Sequence, residues 1–400
     1  MSDIFSQLER VPDDSILGIN ELFKTDKRPG KVNVSIGCYL NDDGRMPLFA
    51  AVAEAEKRIN ARREPRGYCP MQGLASYRSA ARALVFGADH EGVVSNRIHT
   101  HQTLGGTGAL HLAAALAHDC LGITKGVVSD PTWANHIAIL KRCGLEVGKY
   151  PYYDRRTGGL DFEGMKAALS KLEPKTLVLL HACCHNPTGV SLSKEQWNEV
   201  LKIVQERGLI PLLDIAYQGY GKGLDEDAYA PRLFASAGIP LFVASSNSKN
   251  FALYGERIGA LHVVTANEKE ADITRTVLNA IVRQEYSNPA LHGASLVAEV
   301  LGDKELTESW KNELTAQRQR VRLMREKLAE AGAKLGIDLS YVTRHEGMFS
   351  FTGLSAEQIT EMREKYAVYG VANGRICLAA LTSSGVEACA KAIAAVSKKA

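Results

Sequence analysis

A lysine stands among hydroxyls at the end of an apolar run: Ser245-Ser246-Asn247-Ser248-Lys249-Asn250 follows Leu241 to Ala244. Lysine amines form Schiff bases when burial or nearby cations lower their pKa. Arg257, further along the same segment, could be such a cation; the alternative is a solvated lysine in a loop. A second apolar run ends on a carboxylate, Pro211-Leu212-Leu213-Asp214, with Tyr217 close behind. A partly buried Asp needs a positive or donor partner, and an N-cap or a structural ion pair would satisfy it equally. Gly105-Gly106-Thr107-Gly108 precedes a helical pattern, Ala109 to His118. Glycines and a helix N-terminus together suit a phosphate. The other reading is a glycine-rich turn with Thr107 as the N-cap. The motif lacks a P-loop lysine and the full dinucleotide spacing, which argues against ATP and NAD.

Other candidates carry two readings each. In a strand, His181, Cys183 and His185 would share one face, so a zinc site is one reading. No second ligand cluster has the usual spacing, and His99-x-His101 is the kind of pair that strand alternation yields by chance. The expectation is therefore no metal, with a buried thiol pair and histidines in a polar network. Trp133 beside His136 could stack on a planar ligand or pack in the core. Arg257, Arg283 and Arg375 could bind carboxylate or phosphate through their planar forks, though most arginines decorate surfaces.

The elements that must position these groups are legible as short apolar runs: Val127 to Pro131, Leu177 to Cys184, Leu209 to Asp214 and Leu241 to Ser248. Buried runs alternating with helical patterns predict βαβ units, an α/β fold with a mostly parallel sheet covered by helices. Each run ends in polar residues, and ligands in such sheets sit at the carboxyl ends of strands. The last quarter differs. Asp303 to Ala331 reads as one long helix ended by Gly332. Short strands follow at Phe349 to Phe351 and Arg375 to Leu378, which predicts a smaller α+β domain. The expected division is a large domain over 47–315 and a small one from 1–46 and 316–400.

Composition narrows the class. The chain has 400 residues, of which 45% are hydrophobic and 23% charged, as in folded proteins. At roughly 150 residues per domain, two or three domains are expected. The longest apolar stretch, Ala109 to Ala117, is broken by His111 and falls short of the about 20 residues of a membrane span. The first residues, MSDIFSQLERVPDD, read as neither a secretory signal nor a transit peptide. A net charge of +3, from 48 basic and 45 acidic residues, is too balanced for nucleic-acid binding, and Lys398-Lys399 is too short a basic end to count. Eight cysteines are too sparse for a disulfide scaffold, so free thiols in a reducing cytoplasm are expected.

Taken in order, ILG, GGTGAL, SDPTWANH, HNPTG, DIAYQGYG, SNSKNFALYGER and GRICLA resemble the pyridoxal-phosphate aminotransferases of class I, fold type I, in their aspartate and aromatic amino acid branch. The resemblance covers essentially the whole chain. YCPMQG, LVLLHACCHNPTG and DIAYQGYGKGLDEDAY look closest to the bacterial-type aromatic (tyrosine) enzymes.

The resemblance implies pyridoxal 5'-phosphate as cofactor, joined to Lys249 as a Schiff base. It implies that Lys249 then serves as general acid and base, and that Asp214 keeps the pyridinium nitrogen protonated. Tyr217 and Asn186 would bond the cofactor's phenolic oxygen. Gly106, Thr107, Ser246, Ser248 and Arg257 would hold the phosphate, with Gly105 offering only its backbone and Tyr68 reaching in from a second subunit. Trp133 would stack on the ring; His136 would brace Asp214, with His181 behind it. Arg375 would grip the substrate α-carboxylate, helped by Asn186 and the backbone of Gly37. Arg283, from the neighbouring subunit, would bind the distal carboxylate of aspartate or glutamate. A homodimer with shared sites follows from these roles.

Cys38, Leu40, Met46 and Gly67 give the expected pocket a more apolar rim than strict aspartate enzymes have, whereas Thr107 and Asn288 match the aspartate type. The expectation is an aromatic amino acid aminotransferase with aspartate activity and 2-oxoglutarate as acceptor. A strict aspartate enzyme is the alternative, then a lyase or decarboxylase on the same scaffold. The two arginines argue against a lyase. A non-catalytic regulator would need a DNA-binding domain for which no residues are left, and a zinc hydrolase would rest on the HACCH segment.

Overall fold

The computed structural model describes residues 4–10 and 17–397. Ile16 of the N-terminal motif, Lys398 and Lys399 lie outside the described residues. A seven-stranded sheet forms the centre: β1 (Ile98–Leu104), β2 (Lys125–Asp130), β3 (Glu146–Pro151), β4 (Leu177–His181), β5 (Ile210–Ile215), β6 (Leu241–Ser246) and β7 (Ile258–Val264). Their spatial order is β1-β7-β6-β5-β4-β2-β3. Only β7 runs antiparallel to its neighbours. The strands β4, β6 and β7 are buried along their whole length, which is why β4 and β6 read as apolar runs; β7, which carries His262, was not read as one.

Register brings the polar strand ends together. His181 at the end of β4 pairs with Asp214 on β5, and Ile215 pairs with Ser245 on β6. Four helices matter for the site: α1 (Gly105–Ala115), α2 (Ala134–Arg142), α3 (Glu268–Glu285) and α4 (Lys304–Lys334). Among the described residues, no helix is long and apolar enough to cross a membrane.

Several elements differ from the sequence-based expectation. Strand β1 was not foreseen, because His99, Thr100, His101, Gln102 and Thr103 are polar, yet all are buried. Their groups find partners inside: Thr100 Oγ1 lies 2.9 Å from His262 Nδ1, and His99 Nε2 lies 2.6 Å from His101 Nδ1. Strand β4 stops at His181, so Cys183 and His185 do not continue its face. Helix α4 runs three residues beyond the expected Ala331, through Gly332 to Lys334. Gly332 is there for packing: a Cβ on it would stand 2.9 Å from Leu339 Cδ1. At the other end, Asp303, expected as the first helical residue, is the N-cap instead, accepting from the N–H groups of Glu305 and Leu306.

Two small pairings lie outside the main sheet. Val32–Asn33 pairs in parallel with Val368–Tyr369, which joins the N-terminal segment to the C-terminal part. Phe349–Phe351 pairs antiparallel with Arg375–Cys377, while Leu378 already begins a short 3₁₀ turn.

Arg325, buried on α4, fixes this second strand pair. Its guanidinium donates to the carbonyls of Val342, Glu346, Gly347 and Phe349 and to the Ser350 hydroxyl. Burial lowers its pKa to about 10, so it stays charged at neutral pH. Arg325→Met strips several buried acceptors of their donor at once and should cost roughly 3 kcal/mol of stability. Urea unfolding of the two proteins checks this; a loss below about 1 kcal/mol would show that these acceptors find other partners.

Candidate active site

Glycines, hydroxyls and cations converge on one cavity of about 240 Å³ at the carboxyl ends of the sheet strands. Among the described residues its lining includes Lys249, Arg257 and Arg375, against a single carboxylate, Asp214. Gly37, Gly106, Thr107, Trp133, His181, Asn186, Tyr217, Ser246 and Ser248 also face it.

Lys249 lies just beyond β6 in a turn held from three sides. Asn247 N–H donates to the Ile258 carbonyl at 3.0 Å, and Tyr77 Oη donates to Asn247 Oδ1 at 2.8 Å. Trp310 on α4 donates to the Asn250 carbonyl at 2.6 Å and stacks on Phe251 at 4.5 Å. Tyr220 bridges Gln317 of α4 and the Lys249 carbonyl, at 2.5 and 3.4 Å. The Lys249 ammonium position lies 4.9 Å from the centre of the Tyr217 ring. Burial lowers the Lys249 pKa, opposed by Asp214 and assisted by the charges of Arg257 and Arg375.

Asp214 is buried, and desolvation alone would raise its pKa. The hydrogen bond and charge of His136, with help from His181 and Lys249, more than offset this and leave the carboxyl below its ordinary value. His136 Nε2 stands 3.0 Å from Asp214 Oδ2. A carboxylate only accepts, so Nε2 carries the hydrogen, and Nδ1 meets Thr132 Oγ1 at 2.9 Å. His181 packs edge-on to His136 at 4.9 Å, and burial lowers its pKa to about 3. Trp133 meets His136 edge-on at 5.2 Å. Thus α2, which begins beside Trp133, holds the brace of Asp214 in its first turn.

The N-terminus of α1 forms an anion cup. Gly105 has φ +68°, and a Cβ there would stand 2.7 Å from Arg257 Nη2. A Cβ on Gly106 would press on Ser246 at 3.2 Å. Arg257 itself sits in the left-handed region at φ 51°, an uncommon state for a side-chain-bearing residue. It donates to Ser248 Oγ at 3.3 Å, and Ser246 Oγ lies 3.1 Å from Ser248 Oγ. The helix begins at Gly105, and Leu104 in the N-cap position makes no side-chain cap. Thr107 is therefore inside the first turn, and the reading of Thr107 as an N-cap is corrected.

Arg375 is also buried, and its Nε has no partner among the described residues. Its Nη2 donates to the Ser35 carbonyl at 2.7 Å and its Nη1 to Asn186 Oδ1 at 3.3 Å. Asn186 Nδ2 in turn donates to Tyr217 Oη at 3.4 Å. The guanidinium lies over the Phe349 ring at 4.3 Å. Burial raises the Tyr217 phenol well above its ordinary range.

Tyr68 and Arg283 are not in this cavity. Tyr68 is 97% exposed, and Arg283 is exposed on α3, donating to Ser287. They belong to one surface: Asn288, next to Ser287, donates to the Cys69 carbonyl at 2.7 Å. Cys38, Leu40, Met46 and Gly67 do not line the cavity itself, though Cys38 is near enough to Lys249 for their charges to interact. Tyr254, Phe349 and Ser35 were missed. Tyr254 stood inside the quoted SNSKNFALYGER segment, and its hydroxyl accepts from Tyr39 N–H at 3.0 Å.

The HACCH segment has local partners. His185 meets Ser129 at 2.8 Å and Thr188 at 2.9 Å, and it stacks on Tyr152. Cys183 and Cys184 lie near Asp227, whose carboxylate already takes the N–H groups of Gly219, Gly221 and Lys222.

The Lys249 shift fixes a sign. Between its folded pKa and its ordinary value near 10.5, the unfolded chain binds a proton that the folded chain does not. Folding stability therefore rises with pH across that window. Without cofactor, Lys249→Met should be more stable than wild type at neutral pH, and the gap should close as pH climbs through the window. Thermal unfolding against pH measures this, and a gap independent of pH would refute the desolvated lysine.

A family described as Aminotransferase class I and II matches residues 29–393. The chain is 46% identical to an aromatic-amino-acid aminotransferase of Escherichia coli, over 98% of this chain and all of that one. It is 45% identical to an aspartate aminotransferase of Pseudomonas aeruginosa, over 98% and 99%. A crystal structure of an aromatic-amino-acid aminotransferase from Burkholderia pseudomallei, covalently bound to pyridoxal phosphate, superposes with a TM-score of 0.96 at 47% identity, covering 99% of this chain and all of that one. The lysine, its carboxylate and the anion cup thus sit in a protein that belongs to the class I and II aminotransferases.

Proposed function

We propose that this chain is an aromatic amino acid aminotransferase with aspartate activity, passing the amino group to 2-oxoglutarate with pyridoxal phosphate as cofactor. One observation carries the reading: two arginines and a desolvated lysine face one internally braced carboxylate in a buried cavity, a surplus suited to a ligand with several negative charges. The residues fit the cofactor. Gly106, Thr107, Ser246, Ser248 and Arg257 form the phosphate cup, and Trp133 flanks the space for the ring. Asp214 suits the ring nitrogen, and Tyr217 with Asn186 suits the phenolic oxygen.

The bound cofactor supplies an electron sink for charge developing at the substrate α-carbon. The chain's own residues do the rest. Desolvation favours the neutral Lys249 amine, which can attack a carbonyl and move a proton at the α-carbon. Asp214, held ionised by His136, keeps a positive partner protonated. Arg375 offers its unpaired Nε and a fork already aimed by Ser35 and Asn186, which suits an α-carboxylate.

We infer a homodimer in which Tyr68 and Arg283 complete the neighbour's site. Their exposure on one shared surface, away from their own cavity, supports this. Names of relatives on both the aspartate and the aromatic side support dual specificity. The division into 47–315 and 1–46 with 316–400 is supported by the pairing of Val32–Asn33 with Val368–Tyr369 and by the reach of Arg375 to Ser35. Eight free cysteines support a cytoplasmic setting.

Arg283→Ala separates the substrate classes. It should lower kcat/KM for aspartate by about 10- to 150-fold, the worth of roughly 1.5–3 kcal/mol in charge-assisted bonds, and spare phenylalanine. Steady-state kinetics on both substrates decide; an equal loss would remove Arg283 from substrate binding. Wild-type kcat/KM should also be higher for phenylalanine than for alanine, since the ring adds about 1.5–3 kcal/mol of apolar burial. Equal values would leave a strict aspartate enzyme.

A further inference from the structure

The helices α1, α2 and α3 meet away from the cofactor cavity. His111 lies in α1, Cys143 caps the C-terminus of α2, and Glu285 is the last residue of α3. His111 Nδ1 is 3.2 Å from Cys143 Sγ, and His111 Nε2 is 2.8 Å from Glu285 Oε1. The carboxylate only accepts, so Nε2 carries a hydrogen and Nδ1 is left facing the sulfur. The other acceptor near the thiol, the His111 carbonyl, is farther, at 3.8 Å. A thiol, an imidazole and a carboxylate in series are the arrangement that activates a nucleophile. All three residues are partly open to solvent: Cys143 is half-buried, and the side chains of His111 and Glu285 are 36% and 25% exposed. None of them lines the cofactor cavity, and the transamination roles use none of them.

We propose that Cys143 is a modification site, a nucleophilic thiol served by His111 and Glu285 that exchanges with small disulfides. The thiol proton passes to His111 Nδ1 while Glu285 stabilises the resulting imidazolium. Cys143 Sγ attacks one sulfur of the disulfide; the new S–S bond forms as the old one breaks. The departing thiolate then takes the proton from His111. Cys143 is oxidised to a mixed disulfide, and the released sulfur is reduced.

The rest of the chain supplies the control. Cys120 is the exposed cysteine; Cys38 is half-buried, with its thiol pushed up by burial; the others besides Cys143 are buried. If exposure alone governed reactivity, Cys120 would react first. The proposal reverses that order.

The test treats the cofactor-loaded enzyme with bis(2-hydroxyethyl) disulfide at a pH roughly two units below the ordinary thiol pKa. Timed quenching and peptide mass spectrometry give the rate at each cysteine. The expected result is an adduct on Cys143 that forms at least about tenfold faster than on Cys120, as positioned proton transfer gives, and that dithiothreitol removes. Glu285→Gln, which keeps the side chain's shape, and His111→Gln should each slow Cys143 by about tenfold and leave Cys120 unchanged. A Cys143 rate equal to or below that of Cys120 in wild type overturns the proposal, as does a Cys143 rate unaffected by both substitutions.

Discussion

Burying the Lys249 amine beside two arginines is the interaction on which the rest of the site depends. A charged ammonium in that place has lost its water and faces like charges, so the neutral amine is favoured. The one nearby carboxylate, Asp214, does not cancel this, because His136 already engages it at 3.0 Å. The cavity therefore joins an amine of lowered pKa to two guanidinium groups, Arg257 and Arg375, anchored on different partners, Ser248 and Ser35. That arrangement suits a ligand with a phosphate at one end and a substrate carboxylate at the other.

Holding this arrangement takes much of the fold. The parallel strands β4, β5 and β6 end close together, which sets His181 beside Asp214 and Ile215 beside Ser245. Helix α4 reaches across to the lysine turn through Trp310 and through the Gln317–Tyr220 contact. On its other flank, Arg325 of the same helix pins the segment that carries Phe349, over which the Arg375 guanidinium lies. One long helix thus touches both the turn of Lys249 and the segment that supports Arg375. Around the cup, Arg257 at positive φ and Gly105 pressed against it show local backbone freedom used to aim one guanidinium.

Much of this was legible in the sequence, and the limits have physical reasons. Asp214 and Lys249 could be seen because each closes an apolar run, the mark of a strand buried on both faces. His136 and Trp133 followed from the same logic at β2. Strand β1 was hidden because its buried polar groups pair with each other and with His262, which spoils the apolar pattern. Cys183 and His185 were placed on a strand face because the apolar run outlasts β4. Gly332 looked like a helix end, since an isolated glycine does not reveal whether it serves a turn or a close approach by Leu339. Ser35 acts through its carbonyl, so its side chain gave no sign. Tyr68 and Arg283 came from family resemblance alone, and nothing within a single chain brings them to the cavity.

The most direct test of the account is the absorbance spectrum of the cofactor-loaded protein, titrated separately with aspartate and phenylalanine in the absence of any oxo acid. The account predicts that the visible band of lysine-bound cofactor is lost with either amino acid, replaced by that of the aminated cofactor, and that Lys249→Ala never shows the starting band. A spectrum unchanged by both amino acids, or a starting band that survives in Lys249→Ala, would contradict it.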